Sequence, residues 1–434
     1  MSEKKPNILI LLHDCLRWDR AVGEAGGAVI PTFTELREEG TSFDTTLSTV
    51  SCTTPSVAAM LSGLYPPKNG VLSMRGYRYK KDVRPLAAVL ADNGYHCRAE
   101  ATGPLIPEVG LDRGFHEYAY RERSENVYSP FGDRLLDLLK GGMPEPWFLF
   151  VHIWVLHRPR KILRQFKRPA FGEYMYDRSL TSLDTVVKQI VDATPMDDTI
   201  LVTTGDHGER MQKGDFYRQA YRYVSRVKTW EKRMDKFRLW RKKNMPKPIK
   251  KLFRIQGEGA YHGFHVHDYL TRVPLFLTGG PFPSGLRIAD QVRHVDLMPT
   301  LLEAVGIEDE VTGRIDGRSL MPLVRGETME ELPAYMEATG LNLGSKKRWR
   351  SGIRTSQWKY SRLTSAEDPK EELYDLKADP EEQTNLAADR PEVAAKMLVE
   401  LQKVFTDATD DLEEMSEKEK QDLDAHLRAL GYMD

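Results

Sequence analysis

Three short stretches of the chain carry residues that can do chemistry. In "TTGDHGE", Thr203 to Glu209, a carboxylate and an imidazole, Asp206 and His207, stand side by side between glycines, so both can face one cation. The same residues would also make an ordinary aspartate turn. In "NILILLHDC", Asp14 ends an apolar run, where its desolvation calls for a metal or a partner. The alternative is a helix cap for "CLRWDRAV". In "VSCTTPSVAAMLSG", Val50 to Gly63, three adjacent candidate nucleophiles, Cys52, Thr53 and Thr54, precede Pro55. Proline suits a first helical turn and Gly63 its end, so these residues border a positive helix N-terminus. That end favours an anionic sulfuryl or phosphoryl group, although Thr53 or Thr54 would equally serve as a plain cap.

The elements that must position these residues are legible from apolar runs. "PNILILLHD" reads as a strand buried on both faces, and so do "PWFLFVHIWVLH" from Pro146, "DTILVTTGDHGE" from Asp198 and "RVPLFLTGG" from Arg272. Stretches with helical spacing, "VRPLAAVLADNG" and "DRSLTSLDTVVKQIVDA", lie between them. Alternating patterns of this kind predict an α/β fold, a doubly wound and mostly parallel sheet flanked by helices. Ligands of such sheets sit beyond the carboxyl ends of the strands. His13 and Asp14, His157, and Asp206 and His207 each follow a strand-like run. After about residue 330 the pattern becomes short extended pieces, "PAYMEAT", "RSGIRT", "WKYSRL" and "ELYDL", then two helical segments, roughly 391–406 and 415–430. The expected organisation is a catalytic domain over 1–330 and a smaller C-terminal α+β domain over 331–434 containing an antiparallel sheet.

Taken together, the stretches resemble the sulfatase and phosphodiesterase branch of the alkaline phosphatase superfamily, in the family's order and spacing. "PNILILLHDCLRWDR" is similar to its first strand and metal turn, and "LREEGTSFDTTLSTVSCTTPSVAAMLSGLYPPKNGV" to its nucleophile region. "FLFVHIWVLHRPR" is similar to its substrate-histidine segment, and "TTGDHGE" with "YHGFHVHDYLTRVPLFLTGG" to its second metal turn. "RHVDLMPTLLEAVGI", "DGRSL" and "ELYDLKADPEEQTNLA" resemble later segments. The resemblance implies a nucleophile two places before the proline, which here is Thr53. Cys52 lies one place too early and Val57 stands where the pattern CxPSR has arginine, so the signal for converting cysteine to formylglycine is broken. The stretch is closer to threonine-nucleophile relatives, which include phosphodiesterases and phosphonate monoester hydrolases.

The resemblance further implies a divalent cation held by Asp14, Asp206, His207 and Thr53, with coordination activating the threonine hydroxyl. Cys15 replaces a second aspartate that many sulfatases use for calcium. The smaller, more nitrogen-containing donor set points to Mn²⁺ or Zn²⁺ ahead of Ca²⁺. His157 and His262 would contact the bound anion or protonate the leaving group. Cys52 is then a packing residue, and His265 and His267 are expected at the surface or in a lid. The implied activity is a metal-dependent hydrolase of an anionic ester. A phosphodiester or phosphonate ester leads because Thr53 replaces the formylglycine precursor, and a true sulfatase is the alternative. A non-catalytic anion- or membrane-binding protein on the same scaffold is the reading from a different class.

Bulk properties are those of a globular protein. Of 434 residues, 40% are hydrophobic and 29% charged, which excludes a disordered or fibrous chain. The first apolar run, Ile8 to Leu12, is too short to span a membrane, and "MSEKK" lacks a secretory signal's features, so a cytoplasmic location is expected. Three cysteines without a CxxC pair support neither a disulfide framework nor a thiolate cluster. The net charge of −1 hides a block from Lys213 to Arg254 with 16 Lys or Arg against three acids. Within this basic insertion, about 211–256, Phe216, Ala220, Tyr223, Val227, Trp230, Met234 and Phe237 form a heptad-like stripe. Such a stripe packs on the protein's own body or a twin subunit, or forms an arm for a polyanion or an anionic membrane surface. Beyond charge and aromatics, nothing points to nucleic acid.

Overall fold

The computed structural model describes residues 4–211, 262–307, 315–339, 349–364, 369–406, 408 and 412–429. The basic stripe, and the expected insertion from 212 onward, lie outside the described residues. The chain divides into two compact units, one comprising residues 1–209 and 262–434 and the other residues 210–261. The account below concerns the first.

Its centre is strand β1, Asn7–His13, a run of branched and aliphatic side chains in which Ile8 to Leu12 are all fully buried. Each such residue contributes about 1.5–3 kcal/mol by leaving water. In sum that outweighs the cost of a polar strand end. The further strands of the large sheet are β2 (Thr41–Leu47), β3 (His96–Thr102), β4 (Glu117–Arg121), β5 (Trp147–Ile153), β6 (Thr199–Gly205), β7 (Arg272–Val273), β8 (Leu275–Thr278) and β9 (Arg287–Arg293). Their order is β4-β3-β5-β1-β6-β8-β2-β7, with β9 paired to β2. From β4 to β6 every pairing is parallel. β8 runs antiparallel to both β6 and β2, so β2 points the same way as the central strands.

Helices cover the sheet, as the helical spacing predicts. The longer ones are α1 (Pro31–Glu39), α2 (Thr53–Ser62), α3 (Leu86–Asp92), α4 (Pro130–Leu139), α5 (Met175–Ala193), α6 (Leu297–Ala304), α7 (Pro391–Lys403) and α8 (Glu417–Ala429). The Asp184 carboxylate of α5 accepts from the Thr32 and Phe33 amides, which closes the orphaned N-terminus of α1. Among the described residues, no helix is long and apolar enough to cross a membrane.

All four C-terminal extended pieces are strands, β10 (Ala334–Ala338), β11 (Arg350–Arg354), β12 (Trp358–Leu363) and β13 (Glu372–Asp375), in one antiparallel sheet. α7 closes it, burying Ala394, Met397 and Leu401 against Tyr335, Ile353, Tyr360 and Leu373. This sheet reaches the candidate nucleophile. The Ser51 amide donates to Glu337 of β10 and the Glu337 amide donates to Thr49, so the loop entering α2 is stitched to β10.

Candidate active site and metal centre

Strand register alone brings the first two acids together. β1 and β6 pair with His13 opposite Gly205, so Asp14 and Asp206, each one residue further on, emerge level at the carboxyl edge. The turn after β1 is sharp, with Cys15 at φ 63° and its amide 3.0 Å from Asp206 Oδ1. The His207 amide donates to the same oxygen at 2.8 Å. Oδ1 is thereby fixed by two amides, which aims Oδ2 into the centre. There, Asp206 Oδ2 and Asp14 Oδ1 are buried without a hydrogen-bond partner.

His207 is fully buried. Its Nδ1 lies 2.8 Å from the Gly208 carbonyl, which only accepts, so Nδ1 carries the proton and Nε2 presents a lone pair. That Nε2 is 3.4 Å from Asp206 Oδ2 and 3.3 Å from Thr53 Oγ1. Thr53 opens α2, and its hydroxyl donates to Asp14 Oδ2 at 3.2 Å. The four residues Asp14, Thr53, Asp206 and His207 therefore meet, although they come from three separate parts of the chain. Ser56, one turn along, donates to the Asp206 carbonyl at 2.7 Å and pins α2 to the turn after β6.

The neighbouring candidates face elsewhere. Thr54 Oγ1 donates to the Pro104 carbonyl at 3.0 Å. Cys52 Sγ lies 3.5 Å from Thr339 Oγ1 in the core, and burial pushes its thiol up to about 12, so it is an inert packing residue. Val57 is buried in the main core. All three cysteines are free and buried.

Burial pushes the Asp14 carboxyl up, but His152, with His157 and His207, outweighs it and holds the group well below the usual range. Burial and the Asp14 charge raise Asp206. One ligand atom from each of Asp14, Asp206 and His207 lies within 4.8 Å of the others, a grouping that would hold a cation. Two buried carboxylates at this separation cannot both stay ionised without a positive charge between them. A divalent cation fits this set, since it would take the two unpartnered oxygens and the His207 lone pair.

Two histidines line the other side. His157 Nδ1 lies 2.8 Å from the Arg158 carbonyl, and its ring packs tilted against Trp154 at 4.8 Å between centroids. Burial lowers its pKa to about 3. His262 meets His157 edge-on at 5.4 Å and lies tilted against His207 at 4.7 Å. Its Nδ1 is 3.5 Å from Glu209 Oε1, while Nε2 is buried without a hydrogen-bond partner. Burial alone would lower the His262 pKa, but the Glu209 carboxylate more than reverses that. All six residues expected at the site, Asp14, Thr53, His157, Asp206, His207 and His262, thus stand in one buried cluster.

Sequence reasoning missed Glu209 and His152. Glu209 is held between His262, Arg158 at 3.8 Å and Arg160 at 3.4 Å. His152, whose Nδ1 lies 3.0 Å from the Thr102 carbonyl, brings Nε2 to 3.7 Å from Asp14 Oδ2. Its signal was the β1–β5 register, which sets His152 opposite Leu12.

A parallel-rich sheet presenting two aspartates, a histidine and a helix-borne hydroxyl at its carboxyl edge defines the alkaline phosphatase-like class. Residues 6–307 match the family described as Sulfatase, and residues 257–410 match the N-sulphoglucosamine sulphohydrolase C-terminal family. The chain belongs to the sulfatase family. Among curated relatives, arylsulfatase K of Bos taurus is 28% identical over 153 residues, 33% of this chain and 27% of that protein. This chain thus spans about a quarter of the length of that relative in the match. The Delta 4,5-hexuronate-2-O-sulfatase of Bacteroides thetaiotaomicron is 24% identical over 89% of this chain and 86% of its own. A solved structure of a protein in complex with its substrate D-glucosamine-2-N,6-O-disulfate shares the fold at a TM-score of 0.68. It is 16% identical and covers 94% of this chain and 100% of its own.

Proposed function

We propose that this chain is a metal-dependent hydrolase of sulfate esters in which Thr53 is the nucleophile. The observation that carries the reading is the Thr53 hydroxyl, 3.2 Å from Asp14 and 3.3 Å from His207, beside two buried carboxylate oxygens without partners. Asp14, Asp206 and His207, with Thr53, would hold the cation, and the Asp-Asp-His set favours Mn²⁺ or Zn²⁺ over Ca²⁺. When bound, such a cation lowers the pKa of a ligated hydroxyl and offsets charge on the ester's oxygens.

The chain's own residues do the rest. Asp14 Oδ2 accepts the hydrogen bond of the Thr53 hydroxyl and orients its lone pair toward the ester. The amino end of α2 favours the anion's negative charge. His157 and His262 stand across the centre; His262, whose pKa Glu209 raises, holds the proton for the leaving oxygen, and His157 would bind the anion's oxygens by taking up a proton beside their charge. Attack forms the Thr53 Oγ1–sulfur bond and breaks the bond from sulfur to the leaving oxygen; the alcohol departs with the proton that His262 held, and the Thr53 hydroxyl proton passes to Asp14 Oδ2. Water then attacks sulfur, giving one proton to His262, and breaks the Thr53 Oγ1–sulfur bond; Thr53 regains its proton from Asp14 and the inorganic anion leaves. The names of the relatives suggest sulfated saccharides as the substrate class.

A second reading, a phosphodiester or phosphonate ester, is favoured by one observation: a threonine stands at the nucleophile's place. A threonine ester has no hydrated-aldehyde route for release and must be cut by water at the central atom. The test compares sulfated saccharides, aryl sulfate, phosphodiester and phosphonate ester with wild type, Thr53→Ser and Thr53→Ala, each with bound metal measured. Turnover falling by on the order of 10⁴-fold or more in the alanine variant is expected, with metal and fold retained. Undiminished turnover in that variant removes Thr53 from the role, and a chain that neither binds nor responds to a divalent metal removes the whole reading.

A further inference from the structure

A second cluster of metal-ligating side chains lies outside the centre just described. His265, His267 and Glu372 each offer one ligand atom, and these atoms lie within 4.8 Å of one another. All three residues are half-buried. We propose that they form a second zinc site, with three protein ligands and an open fourth position, that anchors the segment delivering His262 to β13 of the C-terminal sheet.

The geometry arises from backbone periodicity. Residues two apart in an extended segment project to the same side, so "HVH" presents two imidazoles together. The rings are stacked, 5.4 Å between centroids and 27° between planes. Glu372, the first residue of β13, comes from more than a hundred positions later in the chain. Its Oε2 is held by Arg350 at 3.1 Å and by the Ser361 hydroxyl at 3.4 Å, which orients the carboxylate.

His267 has the surroundings of a ligand. A metal-bound histidine commonly offers its other ring N–H to a carboxylate. Here Glu382 Oε1 stands 3.3 Å from His267 Nδ1. Glu382 is itself fixed by Lys359 at 2.9 Å and by the Asp268 amide at 2.7 Å. Tyr269 stacks on the His267 ring at 5.4 Å and holds its plane. Two imidazoles and one carboxylate are a donor set for Zn²⁺, whose ligand bonds of about 2.0–2.2 Å leave a fourth position for water. Closing on the ion requires the three ligand atoms to draw in from a spacing of up to 4.8 Å. The consequence would be mechanical. His262 lies three residues before His265, so a cross-link at 265 and 267 would fix the entry of His262 into the catalytic centre.

The test uses the full chain stripped with a chelator and titrated with Zn²⁺ against a chromophoric indicator. Asp14→Asn and Asp206→Asn are combined with His207→Ala, so that the neighbouring Cys15, His207 and His262 grouping cannot hold zinc either; this aspartate variant lacks the first centre and is expected to keep one zinc per chain. Adding His265→Ala and His267→Ala is expected to remove it, and Glu372→Gln to weaken it by 10-fold or more. Zinc that survives loss of His265 and His267 in the aspartate variant overturns the proposal, as does a folded aspartate variant that takes up none. Should the histidine variants fail to fold, Co²⁺ in that aspartate variant decides, since visible d–d bands are expected and their absence overturns the site. Loss tied to the aspartates reports on the catalytic centre, and loss tied to the histidines on this one, so the two readings fail separately.

Discussion

Replacing Asp206 with asparagine should stabilise the metal-free protein and abolish its response to metal. The swap is isosteric. The asparagine carbonyl can still accept from the Cys15 and His207 amides, while its NH₂ replaces the partnerless Oδ2 and can donate toward Asp14. What it removes is repulsion between two buried carboxylates within 4.8 Å. At that distance and an effective dielectric of about 20, two unit charges repel by about 3.5 kcal/mol. Protonation relieves part of this in the wild type, so the expected gain is about 1–3 kcal/mol at pH 8. The pH dependence follows from the raised folded pKa of Asp206. Between the unfolded value of about 4 and that raised value, the native state binds more protons than the unfolded one, so wild-type stability falls as pH rises. The asparagine variant lacks that slope, and its advantage should vanish at low pH. Urea unfolding with chelator, then with excess Mn²⁺ or Zn²⁺, measures both effects. A variant that is less stable without metal, yet shifts with metal as the wild type does, would refute the two-carboxylate centre.

Cys52→Ser should leave turnover within a factor of about two and cost about 1 kcal/mol or less, because the thiol is buried and protonated; a loss comparable to Thr53→Ala would reassign the nucleophile. Glu209→Ala should lower kcat about 10–100-fold by freeing the His262 ring, while Glu209→Gln, which still offers an acceptor to Nδ1, should recover most of it. Equal losses in the two variants would show that Glu209 does not orient His262. Asp268 is bound by two Arg354 nitrogens, Nε at 3.1 Å and Nη2 at 2.9 Å, and by Lys359 at 2.7 Å. Burial raises its pKa, but these cations bring the carboxyl well below its ordinary value, so its contribution is present above about pH 4 and is lost as pH falls toward that depressed value. Asp268→Asn should therefore cost about 3 kcal/mol at pH 7 and progressively less in acid, whereas a pH-independent cost would refute the ion-pair account.

The parts of the fold that read clearly from the sequence are those where burial writes a pattern. β1, β5 and β6 are buried throughout because both faces are covered, and Asp14, His157, Asp206 and His207 follow their C-terminal ends. β3 and β4 were not legible. "HCRAEAT" holds Arg98 and Glu100, which pair with each other at 2.8 Å, and β4 is a half-buried edge strand. Such charges are satisfied by partners that periodicity cannot reveal. The same limit hid Glu209 and His152, whose meaning depends on contacts across 53 and 138 positions, respectively.

The expectation for His265 and His267 shows the reverse case. "HVH" in an extended segment reads as surface when nothing in sequence says what lies opposite. Glu372 becomes relevant only through the antiparallel sheet that carries β13 back past this segment. At the first centre, by contrast, parallel register imposes the meeting. Asp14 and Asp206 each follow a buried strand by one residue, and those strands pair with ends level. Neither acid can move without dragging an aliphatic strand into water. That coupling is why the centre can keep two carboxylate oxygens unpartnered, ready for a cation, at a cost the core of the sheet absorbs.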